Sequence, residues 1–223
     1  NAVIPSALAY NSSTNTATLT PSAALANSTT YTIVVKGGSA GVKDLAGNAL
    51  VSDVTSSFTT AAAASSSSSV WPRTTTPSTV DSGDGNSIEL GMKFSANTNG
   101  SITGLWFYKS AANTGTHTGS LWSASGQLLA TATFTGETAS GWQRVDFASP
   151  VAVTAGTTYV ASYHTNSGHY SVNRSYFNSP YTSGPLTVPA NGGVYGYGSG
   201  GFPTSSFQGS NYWIDVDFVP SGN

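Results

Sequence analysis

Apolar and polar residues alternate along much of this chain. From Ile88 to Phe94, Ile88, Leu90, Met92 and Phe94 fall on one side, and Glu89, Gly91 and Lys93 on the other. A side-chain period of two is that of a strand with one face buried. Further runs of strand character cover Ile102 to Lys109, Gly119 to Trp122, Leu128 to Phe134, Gln143 to Phe147, Tyr159 to Tyr163 and Tyr212 to Val219. Turn-formers separate them, as at Asn97–Gly100 and Ser123–Gly126. No window carries a helical period. Short strands broken by turns predict an all-β protein, and residues 70–219 read as a jelly-roll-type β-sandwich.

Residues 1–60 carry the same signal in a smaller unit. Thr16 to Thr20 sets Ala17 and Leu19 on one face, Thr29 to Val35 does so for Tyr31, Ile33 and Val35, and Val54 to Thr60 closes the segment. Pro21, Gly37-Gly38 and Asp44 through Asn48 mark turns, the last read as a turn rather than an ion site. The run 61–69, four alanines then five serines, has no apolar stripe and reads as a linker. The stretches Leu19-Thr20-Pro21-Ser22-Ala23-Ala24-Leu25, Gly41 to Leu50 and Ser57-Phe58-Thr59-Thr60 closely resemble bacterial Ig-like domains of surface-layer type. An Ig-type sandwich takes about 100 residues and seven strands. The segment is therefore expected to be an incomplete Ig-like β-sandwich, with the first strands preceding Asn1 and open edges left behind.

The larger part resembles domain-of-unknown-function family 4082 of bacterial secreted proteins. The motifs that carry this are Glu89-Leu90-Gly91-Met92-Lys93-Phe94, Gly104 to Lys109, Asn113 to Trp122, Gly136 to Gln143, Ala155 to Tyr163, Gly168-His169-Tyr170 and Asn211 to Phe218. The resemblance implies a jelly-roll appendage of a large, secreted, often carbohydrate-active protein, and so a sugar- or surface-binding role. It implies no particular activity.

Composition narrows the function classes. Charged residues are 7% and hydrophobic ones 38% of the 223 residues, so solubility rests on Ser, Thr, Asn and Gly. Eleven tyrosines and five tryptophans argue for packed cores. With a net charge of −2 and no basic patch, the chain has no footprint for nucleic acid. No run approaches the ~20 apolar residues of a membrane span. The absence of cysteine removes disulfides, thiolate metal sites and a Cys nucleophile. A secreted or extracellular location, free or attached to the cell surface, fits this composition.

The nine carboxylates are too few and scattered to favour a glycosidase pair, and no Gly-x-Ser-x-Gly nucleophile elbow is present. The protein is expected not to be an enzyme. His117, His164 and His169 admit a three-His metal site, but read more readily as hydrogen-bonding loop residues. A structural Ca²⁺ is a stronger expectation. Glu89 and the same-face pair Asp215 and Asp217 point away from the apolar faces of the first and last strong strands, and would converge if those strands were neighbours. Asp81 and Asp84, in the turn Asp81–Asn86, could hold the same or another ion. The turn reads equally well as one closed by its own hydrogen bonds.

The strongest functional signal is the stretch from Thr165 to Asn211. It is too long for a plain connection, and carries Tyr170, Tyr176, Phe177, Tyr181, Tyr195, Tyr197, Phe202 and Phe207 among Gly, Ser, Asn and Pro. Flat rings suit the C–H faces of sugars, and amide and guanidinium groups suit their hydroxyls. The candidate carbohydrate-binding set is Trp71, Trp106, Tyr170, Arg174, Tyr176, Tyr195 and Tyr197. The competing reading has these rings pinning the loop to the sandwich. The function expected first is a non-catalytic carbohydrate-binding module that holds a polysaccharide or surface glycan. The second is a structural or adhesive surface protein that self-associates through the Ig-like edges. An enzyme comes last.

Overall fold

The computed structural model describes residues 2–61 and 66–221. The chain forms two compact units that divide between residues 64 and 65. The expected linker falls partly on residues 62–65, which lie outside the described residues. Its last part belongs to the second unit: Ser68 forms an antiparallel bridge to Phe218, its N–H donating to the Phe218 carbonyl at 2.7 Å.

Among the described residues the first unit holds four strands, β1 (Ser6–Asn11), β2 (Thr16–Pro21), β3 (Thr30–Val35) and β4 (Val54–Thr59). They pair as two antiparallel hairpins, β1 with β2 and β3 with β4. Strand β1 is not evident in the sequence, because its alanines at 7 and 9 give a weak β signal. Cross-strand pairing sets Leu8 opposite Leu19 and Tyr31 opposite Phe58. Each hairpin thus gathers an apolar face, yet none of the described residues 2–61 is buried; Leu8 is 72% exposed and Phe58 44%. The Asp44 turn closes on itself, its carboxylate accepting from the Ala46 and Asn48 N–H groups and the Asn48 amide.

The second unit is a β-sandwich. Its strands are β5 (Ile88–Ala96), β6 (Gly100–Lys109), β7 (Thr118–Ser123), β8 (Leu128–Thr133), β9 (Gly141–Val153), β10 (Tyr159–Thr165), β11 (Tyr181–Ser183), β12 (Leu186–Val188), β13 (Gly193–Tyr197) and β14 (Ile214–Pro220). One sheet runs β11-β12-β5-β10-β7-β8, with β13 also pairing β5; the other runs β14-β6-β9. Successive strands repeatedly change sheet, so the two layers are interlocked. The faces meet where Phe107 of β6 stacks on Tyr163 of β10, ring centroids 4.3 Å apart. The alternation expected of β5 holds: Ile88, Leu90, Met92 and Phe94 are all buried. Burying side chains of this size contributes roughly 1.5–3 kcal/mol each.

A second aromatic centre surrounds Trp71, which is 1% exposed. Trp213 lies 5.4 Å from it, with Tyr176, Phe177, Tyr181 and Trp142 between 6.2 and 6.5 Å away. This cluster fastens the entering segment of the unit and part of the 165–211 stretch to the sandwich. A carboxylate reinforces it. Asp215 is wholly buried and accepts from the Val70 N–H at 2.8 Å, the Trp71 N–H at 3.0 Å and Arg73 Nη2 at 2.9 Å.

Within the stretch from Thr165 to Asn211, part of the glycine-rich run is a strand. Gly193 to Tyr197 pairs with Met92 to Ile88 along the free edge of β5. Glycine is required at its start, since a Cβ on Gly193 would collide with the Ser210 carbonyl oxygen. At the other end of the sequence-expected elements, the last strand begins at Ile214 and not at Tyr212. Trp213 takes a left-handed φ of 56°, held by the Asn211 side chain accepting its N–H at 2.8 Å, and this reverses the facing of Tyr212.

Candidate binding groove

Strand β13 presents Tyr195 and Tyr197 two residues apart, hence on one face. Tyr195 is further fixed by a two-way backbone bridge to Ser205. Tyr212, turned by the reversal at Trp213, meets Tyr195 at 6.1 Å and Tyr170 at 5.8 Å, and Tyr195 meets Tyr197 at 5.7 Å. All three contacts are edge-to-face, with interplanar angles of 66° to 78°. The result is a continuous row, Tyr170–Tyr212–Tyr195–Tyr197, along a groove of about 700 Å³. Hydroxyls from Thr79, Ser82 and Ser210 line it, together with Arg174, Phe207 and Asp84.

The turn Asp81–Asn86 supports the row. Asp81 accepts from the Gly83 N–H at 2.8 Å and faces His169 Nδ1 at 3.0 Å. Asp84 accepts from the Asn86 N–H, the Asn86 amide and, at 2.6 Å, the Tyr197 hydroxyl. Burial works against the charge of Asp84, but these donors outweigh it and hold the carboxyl below its ordinary range. The same bond to Asp84, with burial next, raises the Tyr197 phenol well above its usual range. The Tyr170 carbonyl in turn accepts from the Ser82 N–H. The turn is therefore closed by its own hydrogen bonds and tied to the groove wall.

Four of the seven expected binding residues, Tyr170, Arg174, Tyr195 and Tyr197, come together here. The other three do not. Trp71 is a core residue, its Nε1–H donating to the Tyr176 hydroxyl at 3.1 Å, and Tyr176 is half-buried in the same cluster. Trp106 lies on the β14-β6-β9 sheet under the guanidinium of Arg73, 4.3 Å from its ring centroid. The aromatic stretch thus divides: Tyr176, Phe177 and Tyr181 join the Trp71 cluster, Phe202 covers Trp122 at 5.8 Å, and Tyr170, Tyr195, Tyr197 and Phe207 line the groove. The sequence does not mark Tyr212 and Phe207 as site residues. Phe207 carries only the general aromatic signal, and Tyr212 was hidden by its apparent place in a strand.

The carboxylates expected to share a calcium ion do not converge. Glu89 sits on β5 and Asp215 and Asp217 on β14, strands of different sheets. Each carboxylate already has partners: Ser162 for Glu89, Arg73 and three backbone N–H groups for Asp215, and Arg144 for Asp217. Among the described residues no three His, Asp or Glu side chains gather as a metal centre requires. The histidines are dispersed as well. His117 lies between Glu137 and Asn113, His164 faces Glu89 at 3.4 Å, and His169 faces Asp81. Glu89, beneath Gly200, is pushed up to about 7 by burial against the pull of the Ser162 hydroxyl.

A two-layer sandwich with a structured aromatic groove, preceded in the chain by a unit of two hairpins with apolar faces, makes an all-β protein of two units. Residues 74–214 match the family described as a domain of unknown function (DUF4082), and the chain belongs to that family. Residues 1–60 match a bacterial Ig-like domain, the kind of unit carried by extracellular or surface proteins. No curated protein matches the chain. Among the described residues no helix is long and apolar enough to cross a membrane.

Proposed function

We propose that the groove binds a glycan and that the protein is a non-catalytic, secreted carbohydrate-binding module. The observation that carries this reading is the Tyr170–Tyr212–Tyr195–Tyr197 row with hydroxyl groups beside it. Ring edges and faces of this spacing suit the apolar faces of successive sugar rings, and Ser, Thr and Tyr hydroxyls suit their rims. The groove wall is pre-organised by backbone bonds on both sides, which limits the ordering cost of binding. Among the described residues Asp84 is the one carboxylate lining the groove, so they assemble no opposed pair there of the kind glycoside hydrolysis needs. Retardation of the protein in polysaccharide-containing gels tests the reading. Tyr195→Ala and Tyr197→Ala should each abolish or strongly reduce the shift, and unaltered mobility shifts in both variants would reject it.

A second reading, self-association through the first unit, is favoured by the exposed apolar hairpin faces bearing Leu8, Leu19, Ile33 and Phe58. Apolar strand faces and free edges are natural assembly surfaces. Sedimentation velocity without sugar tests it: assembly that grows with concentration supports it, and a single monomeric species over a hundredfold range excludes it.

A further inference from the structure

The charges of the second unit are mostly spoken for. Arg73 pairs with Asp215, Lys109 with Glu137, and Arg144 with Asp146 and Asp217. Arg174 differs. It is exposed, lines the groove, and among the described residues has no carboxylate within pairing distance. Its guanidinium lies over Phe207, 5.7 Å from the ring centroid. A ring beneath the plane orients a guanidinium while leaving its N–H edge free.

The backbone under Arg174 is also fixed. Asn173 and Asn211 exchange two backbone hydrogen bonds, at 3.0 and 2.9 Å, and the Ser175 N–H donates to the Gln208 carbonyl at 2.8 Å. Arg174 is thus held from both sides on a short ladder, so little order remains to be imposed on binding. Burial raises the phenols of Tyr170 and Tyr212 above their ordinary range, and the charge of Arg174, near enough to reach both, pulls weakly the other way. The other charged lining group, Asp84, already shares its charge among three donors from Tyr197 and Asn86. The groove therefore offers one open charged group, and it is a cation with planar, forked donors.

We infer that the groove takes a carboxylated glycan, a polymer bearing uronic acid units, with Arg174 pairing the sugar carboxylate; this rests on the glycan-binding reading of the same groove. A carboxylate matches the guanidinium fork in shape and charge, with two parallel N–H···O bonds. The pyranose ring attached to it then lies along the neighbouring tyrosines.

The test is affinity electrophoresis of the full chain at low salt against polygalacturonate, alginate and hyaluronate, with methyl-esterified polygalacturonate and dextran alongside. At least one acidic polymer should bind roughly tenfold more tightly than the esterified form, a preference that added salt reduces. In Arg174→Gln the ratio of acid to ester affinity should fall to about one, and Arg174→Lys should keep part of it, because a point charge replaces the fork. Equal affinity of the wild type for acid and ester, or an unchanged ratio in Arg174→Gln, overturns the acidic specificity. Either result leaves the glycan-binding reading standing if Tyr195→Ala still abolishes retardation. Binding to none of the five polymers overturns the acidic specificity and counts against the groove reading as well. Retardation that is the same in the wild type and in Tyr195→Ala overturns both.

Discussion

Arg73 donates through Nη2 to Asp215 Oδ2 at 2.9 Å while its guanidinium lies 4.3 Å from the centroid of Trp106. One side chain thereby joins the entering segment of the sandwich to β14 and to the outer face of β6. Asp215 Oδ2 also accepts the Trp71 N–H. In Asp215→Asn, an NH₂ placed there would confront two donors. The substitution should lower stability by about 3 kcal/mol, measured by chemical denaturation. Asp215 already performs the joining that a cation would otherwise supply. Excess EDTA should therefore leave the melting temperature unchanged, and a fall of several degrees would reveal an ion that this geometry does not call for.

Glu89 should make the sandwich less stable as pH rises. Its ordinary value is 4.5, and burial raises it to about 7 in the folded protein. Below about 4.5 the carboxyl is protonated in both states and carries no penalty. Between 4.5 and 7 the unfolded chain releases its proton first, so stability falls, by roughly 3 kcal/mol once the pH is above 7. Asp215, raised by burial to about 6 against the pull of Arg73 and three backbone N–H groups, adds a slope of the same sign. Glu89→Gln keeps an acceptor for Ser162 and removes the charge. It should match the wild type near pH 4.5 and melt several degrees higher at pH 8, as followed by calorimetry.

Trp71 and Trp106 should behave differently although both belong to the candidate binding set. Trp71→Ala empties the centre of the cluster, around which five aromatic side chains pack, and should cost about 3–5 kcal/mol. Trp106 is half-buried on a sheet face, and its truncation should cost less than half as much in the same denaturation experiment.

Gly193→Ala should injure the groove more than the fold. The added methyl collides with the Ser210 carbonyl, and relief requires β13 to leave the edge of β5. The expected loss of stability is about 1–3 kcal/mol. Polysaccharide retardation should disappear at temperatures where circular dichroism still shows folded protein, because Tyr195 and Tyr197 ride on that strand.

Strict alternation made β5 readable, and the strand character of β6, β7 and β10 was equally plain, because each buries a side-chain set against the opposite sheet; β9 was legible only from Gln143 to Phe147, since its second half, Ala148 to Val153, is largely exposed and interrupted by Pro150. Strand β13 was not readable. Gly-Val-Tyr-Gly-Tyr has turn composition, and what makes it a strand is the free edge of β5, more than ninety residues away in sequence. The groove was half legible for the same reason. Tyr195 and Tyr197 announce themselves by composition, but the Asp84 partner of Tyr197 lies 113 residues distant. Tyr212 enters only because Trp213 adopts a left-handed backbone that no spacing rule foretells. Glu89 and the Asp215–Asp217 pair were placed correctly on their strands; their convergence failed because neighbourhood in a sandwich is set by sheet order.

Ser68 and Phe218 form the outermost rung between the segment that enters the sandwich and the strand that leaves it. Because the rung is antiparallel, a pull on the polypeptide from both sides peels it open like a zipper instead of sliding whole ladders past one another. The carboxylate of Asp215 would be the first lock that such a pull meets. A module tethered in flowing liquid would thus yield mechanically at this seam, while the strand that bears Tyr195 and Tyr197 carries none of the load.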